Sequence, residues 1–376
     1  MKSTWKTKKL DEICNVEYGT RVVRKVDGGT IYPVYGGGGK TFFLDRYNRE
    51  NCFVVARFAM SEQCTRFVKE KFFLNDSGLS VSPKDTNEIS QDFLNLQLFY
   101  LNDYIYSLAR GTAQKNLDVP KFREIDISYP NSISEQQRIV KILDEAFEKI
   151  DKLKQNAEKN LQNSKNIFKS YLENIFTNPS KDWGNKKIGE ICSIKSGTTI
   201  SPKLEKQTGD ILYLKVGDMN LKGNETEILY SSRFIDSNDL NISQIIPEGS
   251  IIFPKRGGAI FTNKRRKIVK PTIVDLNTMA LVPSNLLISD FLYYWFLRID
   301  LKELSNGTSI PQINNYSFDN IFISYPKSIS EQKEIINKLD KLLEQTKKLG
   351  LIYKQKLVDL EELKKSILNK AFSGEL

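Results

Sequence analysis

The chain has 376 residues, 40% apolar and 11% aromatic, enough for two or three domains with real cores. Its formal charge of +10 favours a polyanionic partner, and the absence of histidine excludes Ser-His-Asp and Cys-His machinery and any His-ligated metal within this chain. The four cysteines, at 14, 52, 64 and 192, form no CxxC pair, and neither a membrane span nor a signal-peptide pattern is present, so the expectation is a soluble cytoplasmic protein.

In chain order, "WKTKKLDEICNVEYGT" (5–20) opens a mixed stretch with strand candidates "IYPVY", "CFVVAR" and "FFLN". "YGGGGKT" (35–41) ends like a phosphate loop, but Val34 stands where that motif needs glycine and no helix start follows; it reads as a flexible loop that lets backbone approach DNA. The aromatic segment 90–109 predicts a short helix whose rings pack the core. "RGTAQKNLDVPKFREIDISYP" (110–130) leads to Ser132 and Glu135, an S-x-x-E capping box at a helix start. Beyond it, 43 residues from Ser134 to Phe176 contain no Gly or Pro. Leu143, Ile150 and Leu153 recur there at coiled-coil spacing.

The second half repeats this order. "WGNKKIGEICSIKSGT" (183–198) matches the opening at an offset of 178, and strand candidates "ILYLKV", "SIIFP" and "TIVDL" follow. A helix at 288–305 answers the one at 90–109, and "NGTSIPQINNYSFDNIFISYP" (306–326) matches 110–130 at an offset of 196. Ser328 and Glu331 form the second capping box, and Leu339, Leu342, Leu349, Leu360 and Leu363 the second coiled-coil rhythm, interrupted only by Gly350. The repeated Cys14 and Cys192 read as small buried hydrophobes.

Because the offset grows by 18 residues between the ends, the ends match while the middles diverge: a constant frame holding two variable surfaces. The first helix delivers the chain to the second globular stretch, so a second helix that packs on it must run back. The expected fold class is α+β: globular stretches 1–130 and 178–326 of mixed α/β structure, joined by two long antiparallel coiled-coil helices, 131–177 and 327–376, in an internal pseudo-two-fold repeat. Candidate DNA-contacting cations are Arg21, Arg24, Lys40, Arg57 and Arg66 in the first stretch and Lys215, Lys255 and Arg256 in the second. The densest run, Lys264, Arg265, Arg266 and Lys267, is expected to face a polyanion.

The duplicated "ISYP…SISEQ" entry into each long helix, the Gly-Thr ahead of it and the closing "LNKAFSGEL" (368–376) resemble the specificity subunits of Type I restriction–modification enzymes over nearly the whole chain. The resemblance implies two target-recognition domains, each reading half of a bipartite asymmetric site on double-stranded DNA. It implies a helical ruler between them, and docking of two methyltransferase subunits and of restriction (motor-nuclease) subunits. No cofactor is expected in this chain: S-adenosylmethionine belongs to the methyltransferase partners, ATP and Mg to the restriction partners, and the chain itself would be non-catalytic. Gly111, Thr112, Ser132, Glu135 and Gln136, with Gly307, Thr308, Ser328, Glu331 and Gln332, match the family's helix-entry segment. They are candidates for subunit docking, with a structural turn as the other reading of the Gly-Thr pairs. The competing functions are a coiled-coil adaptor that does not read DNA and a stand-alone DNA-modifying enzyme.

Overall fold

The computed structural model describes residues 5–307 and 310–376. They form two compact units, one made of residues 1–159 with 354–376 and the other of 160–353. The long helices, expected as segments of their own, are thus each divided between the two units.

The first unit lays down β1 (Trp5–Lys9), α1 (Leu10–Ile13), β2 (Cys14–Tyr18), α2 (Arg24–Asp27), β3 (Tyr32–Gly36), β4 (Gly39–Leu44), β5 (Cys52–Ala56), β6 (Thr65–Val68), β7 (Phe73–Leu74) and β8 (Gly78–Pro83). Then come α3 (Gln91–Tyr100), α4 (Asn102–Ser107), the short strands β9 (Ala109–Arg110) and β10 (Asn116–Leu117), α5 (Val119–Arg123), β11 (Asp126–Pro130) and the long α6 (Ile133–Thr177). One sheet has the order β2-β8-β5-β6; a second, β4-β3-β7, has β7 parallel to β3; β1 pairs antiparallel with β11. The glycine run at 36–39 is the tight turn of the β3–β4 hairpin, with Gly36 opposite Gly39, and not a flexible loop.

The second unit repeats this plan with β12 (Gly184–Lys187), α7 (Ile188–Ile191), β13 (Cys192–Ser196), β14 (Ile211–Leu214), β15 (Glu227–Ile228), β16 (Phe234–Ile235), β17 (Ile251–Pro254), β18 (Arg266–Ile268), β19 (Thr272–Val274) and β20 (Thr278–Pro283), followed by α8 (Ser289–Leu297), β21 (Phe322–Tyr325) and the long α9 (Ile329–Phe372). Its sheets run β13-β20-β17-β18-β15 and β16-β14-β19, with β19 parallel to β14, and β12 pairs with β21. The middles, divergent in sequence, therefore share strand order and direction, except that β15 adds a fifth strand to the large sheet of the second unit. The extra length lies after the small sheet's central strand: residues 37–51, which include β4, separate β3 from β5, whereas 215–250, which include β15 and β16, separate β14 from β17.

Each core closes on the same aromatic trio. In the first unit Phe93 lies 6.1 Å from Trp5 and 5.5 Å from Phe372. In the second, Phe291 lies 6.1 Å from Trp183 and 5.3 Å from Phe176. The third ring comes from the far end of a long helix: α9 seals the first unit, α6 the second. This accounts for "LNKAFSGEL", which carries Phe372 and the buried Leu368 and Ala371 into the first core.

The glutamine of each "SEQ" is a buried pin. Gln136 is fully buried; its Oε1 accepts from Ser90 N (2.9 Å) and its Nε2 donates to Glu88 O (2.9 Å) and Pro130 O (3.0 Å). Gln332, also fully buried, accepts from Ile288 N (2.9 Å) and donates to Leu286 O (2.8 Å) and Pro326 O (2.9 Å). Each amide satisfies backbone groups at the start of the short core helix and at the end of the last strand, which bind the long helix to its domain. Neither glutamine has surface to offer a docking subunit.

Within each unit the two helix segments run antiparallel. In the first, Arg138 donates to Leu376 O (2.9 Å), Lys364 lies over the Phe147 ring (4.8 Å) and Lys154 pairs with Glu361 (2.6 Å). Leu143, Ile150, Leu339 and Leu360 are buried as expected and Leu342 is half-buried, but Leu153, Leu349 and Leu363 are 42%, 38% and 45% exposed. Three residues turn a side chain about 60° back around a helix and four turn it about 40° forward. At all three sites the seam takes the four-residue step, to Lys154, Gly350 and Lys364, which are half-buried. The lysine stems cover apolar surface there, and Gly350 leaves room for Ser164, whose Oγ lies 3.8 Å from where a Cβ would stand.

Candidate nucleic-acid interface

The candidate cations separate by what their charges touch. Arg265 is 3% exposed, with its guanidinium over the Phe296 ring (4.9 Å) and donating to Asn263 O (2.8 Å) and to Ile299 O. Burial pulls its pKa down to about 10. It is a strut inside the second unit and not a surface contact. Lys267 has no free charge either: it pairs with Asp290 (2.5 Å) and Glu227 (2.9 Å). Burial pulls its ammonium down, but the two carboxylates outweigh this and hold it above the ordinary lysine value. Lys264 reaches the Asn220 side chain.

Arg66 and Arg266 occupy one position in the two units. Arg66 stands opposite Val54 on β6, Arg266 opposite Ile252 on β18. Arg66 donates to Gly37 O (2.7 Å) and Arg266 to Met219 O (3.0 Å). Each half-buried guanidinium ties down the loop leaving the middle strand of the small sheet, and burial lowers the pKa of both. Gly39, in the turn that Arg66 ties down, has a left-handed φ of +112°, which favours glycine. The run 264–267, expected to face a polyanion, thus mainly holds its own unit together.

Lys215 is paired with Glu205 (2.9 Å) and Lys40 stands 3.8 Å from Glu70. Among the described residues Arg21, Arg24, Arg57, Lys255 and Arg256 have no carboxylate partner. Arg21, Arg24 and Arg256 are exposed, and Arg57 and Lys255 half-buried.

Arg57 and Lys255 are again one position. Arg57 follows β5; its N–H donates to Ser77 O (2.8 Å) and its carbonyl accepts from Leu117 N (2.9 Å). Lys255 follows β17; its N–H donates to Asn277 O (2.8 Å) and its carbonyl accepts from Ile313 N (2.8 Å). The Arg57 guanidinium sits 4.9 Å from the Tyr18 ring and 4.2 Å from that of Phe58 and donates to Asp76 O (2.9 Å). Lys255 Nζ donates to Ser196 Oγ (3.0 Å). Tyr18 and Ser196 are the last residues of β2 and β13.

Gly111 and Gly307 both have left-handed backbone, φ +104° and +103°, where a Cβ would meet Gln114 O at 2.3 Å and Ile310 O at 2.8 Å respectively. Thr112 is exposed; Thr308 lies outside the described residues. Ser132 and Ser328 hydroxyls accept from Glu135 N (3.4 Å) and Glu331 N (3.5 Å), one arm of each capping box. The glutamates turn elsewhere, Glu135 to Arg138 (2.8 Å) and Glu331 to the Trp183 indole N–H (2.8 Å).

Sequence reasoning named Lys215 but missed the segment 216–250 that follows it, which lacks cationic runs. Buried Asn224 pins it by donating to Asp218 O (2.9 Å) and Tyr230 O (2.8 Å) and accepting from Leu229 N (2.9 Å) and Tyr230 N (3.1 Å). Asp218 is buried with Arg233 (2.6 Å). So held, the loop exposes Leu221, Leu229 and Tyr230, while the small sheet of the first unit exposes Ile31, Phe43 and Tyr47. No helix of the described residues is long and apolar enough to cross a membrane.

A family model for the Type I restriction modification DNA specificity domain matches residues 2–163 and again 180–355. The chain is 28% identical to the Type I restriction enzyme MjaIX specificity subunit of Methanocaldococcus jannaschii over 48% of this chain and 43% of that one, less than half of either. It is 25% identical to the MjaVIII specificity subunit of the same organism, over 82% of this chain and 76% of that one. It is 21% identical to a putative type I specificity subunit of Mycoplasma genitalium, over 98% and 94%. In fold it is similar to a chain solved for complex assembly and conformational transition of the type I R-M system (TM-score 0.77, 17% identity, all of both chains). It is also similar to the HsdS subunit from Thermoanaerobacter tengcongensis (TM-score 0.61, 17% identity, 99% of this chain and 97% of that one). Matched twice over most of its length, the chain belongs to the Type I restriction–modification DNA specificity family and carries that DNA-recognition domain in two copies.

Proposed function

We propose that each unit reads one half of a bipartite, asymmetric double-stranded DNA site, and that the chain positions two adenine methyltransferase subunits, and restriction subunits where present, on that site. The carrying observation is one strand skeleton bearing unlike segments, 37–51 against 215–250. Two unlike readers cannot share a palindrome, so the site is asymmetric. The chain is a reader without chemistry of its own; S-adenosylmethionine, ATP and Mg belong to its partners. Phosphate contacts supply affinity, base contacts in the grooves supply sequence, and the target adenine is flipped into the methyltransferase.

The test is base-modification sequencing of DNA from cells expressing the chain with its cognate methyltransferase subunit, against cells lacking only this chain. A gapped, asymmetric adenine motif that appears only with the chain is expected. Its absence, with the complex assembled, would favour an adaptor. Inserting four residues, about one helical turn, near Lys159 should change the gap or prevent assembly while leaving both half-sites unaltered.

A further inference from the structure

We propose that Arg57 and Lys255 are a duplicated phosphate anchor: one cation at one place in both units, gripping the DNA backbone and taking no part in base reading. This rests on the DNA-reading function proposed above.

A contact made with any sequence can keep its place while the reading surface diverges. Arg57 and Lys255 keep theirs bond for bond, between the Ser77 and Asn277 carbonyls on one side and the Leu117 and Ile313 amides on the other. Their side-chain chemistry did not stay fixed: one is a planar fork, the other a point charge. Phosphate is held by either group, so a phosphate contact survives that exchange whatever each half-site reads. Each charge lacks a carboxylate among the described residues, unlike Lys215 and Lys267 at other sites in the second unit. Each is also aimed by a strand-end partner, Tyr18 beneath the guanidinium and the Ser196 hydroxyl at the ammonium. A left-handed glycine, Gly111 in one unit and Gly307 in the other, repeats as well. The divergent apolar tips, such as Tyr230 in one unit and Tyr47 in the other, are left to read sequence.

The experiment uses the full chain assembled with its methyltransferase subunit. It compares Arg57→Gln, Lys255→Gln, the double variant, and the charge-keeping Arg57→Lys and Lys255→Arg. Affinity is measured by fluorescence anisotropy from about 50 to 200 mM salt on a duplex carrying the methylated motif and on a scrambled duplex, the range over which phosphate contacts dominate. Each Gln variant should weaken both duplexes by the same factor and flatten the slope of log K against log salt by about 0.9, with about twice that for the pair. The charge-keeping variants should retain the slope, and the methylated motif should not change. An unaltered slope, loss confined to the motif duplex, or a changed motif would overturn the anchor. A wild-type complex that does not distinguish the two duplexes would instead sink the DNA-reading function itself.

Discussion

The two units differ most where they look most alike in topology. Both fold a small sheet with one parallel and one antiparallel neighbour around a central strand, β3 or β14. In the first unit a tight glycine hairpin follows that strand, and Arg66 ties down Gly37. In the second, a pinned loop follows, and the equivalent Arg266 ties down Met219. The lesson is that a basic residue inside a recognition domain can serve the loop and not the ligand. At Arg66 and Arg266 burial disfavours the charge itself, which leaves each guanidinium less to offer a phosphate.

The comparison is broken or sharpened most strongly at the pins. Gln136→Ala should destabilise the first unit and Gln332→Ala the second by similar amounts, about 3 kcal/mol, since each leaves three backbone groups, buried or half-buried, without their partner. Hydrogen exchange at Ser90 and at Ile288 reads each unit separately, which a single melting curve would not. Equal loss of protection in both units from either variant would contradict the division.

Next come the aromatic seals. Phe372→Ala should cost the first unit about 3 kcal/mol and Phe176→Ala the second about the same, by cavity formation. A smaller step is Arg265→Met, which leaves the Asn263 and Ile299 carbonyls without their donor and should cost about 2 kcal/mol of second-unit stability. The salt slope of DNA binding should stay unchanged; a flattened slope would return Arg265 to the interface.

The smallest effect separates the units by acid. Glu88 is held below the ordinary carboxylate pKa by hydrogen bonds from Lys8 and Tyr129. A depressed pKa contributes stability above the unfolded-state value and loses it as pH falls through the folded one. The equivalent position in the second unit, bonded to Gln332 as Glu88 is to Gln136, is Leu286. As pH falls below the ordinary carboxylate value, hydrogen exchange should show Glu88→Gln reducing the acid loosening of the first unit and leaving that of the second unchanged.

The two helix starts, the short core helices and six of the strands were legible in sequence because each rests on neighbours a few residues away: a three-four rhythm, a serine three residues before a glutamate. Burial of Cys14 and Cys192 was legible for the same reason, and it pushes both thiols up to about 12. Tertiary structure alone decided which step of the helix rhythm faces the seam, that the "SEQ" glutamines are internal pins, and which cations remain unpaired. Lys267 is neutralised by Glu227 and Asp290, 40 and 23 residues away, and Arg265 is buried against Ile299, 34 residues away. Periodicity is a property of one segment; a free charge is a property of every segment that folds against it.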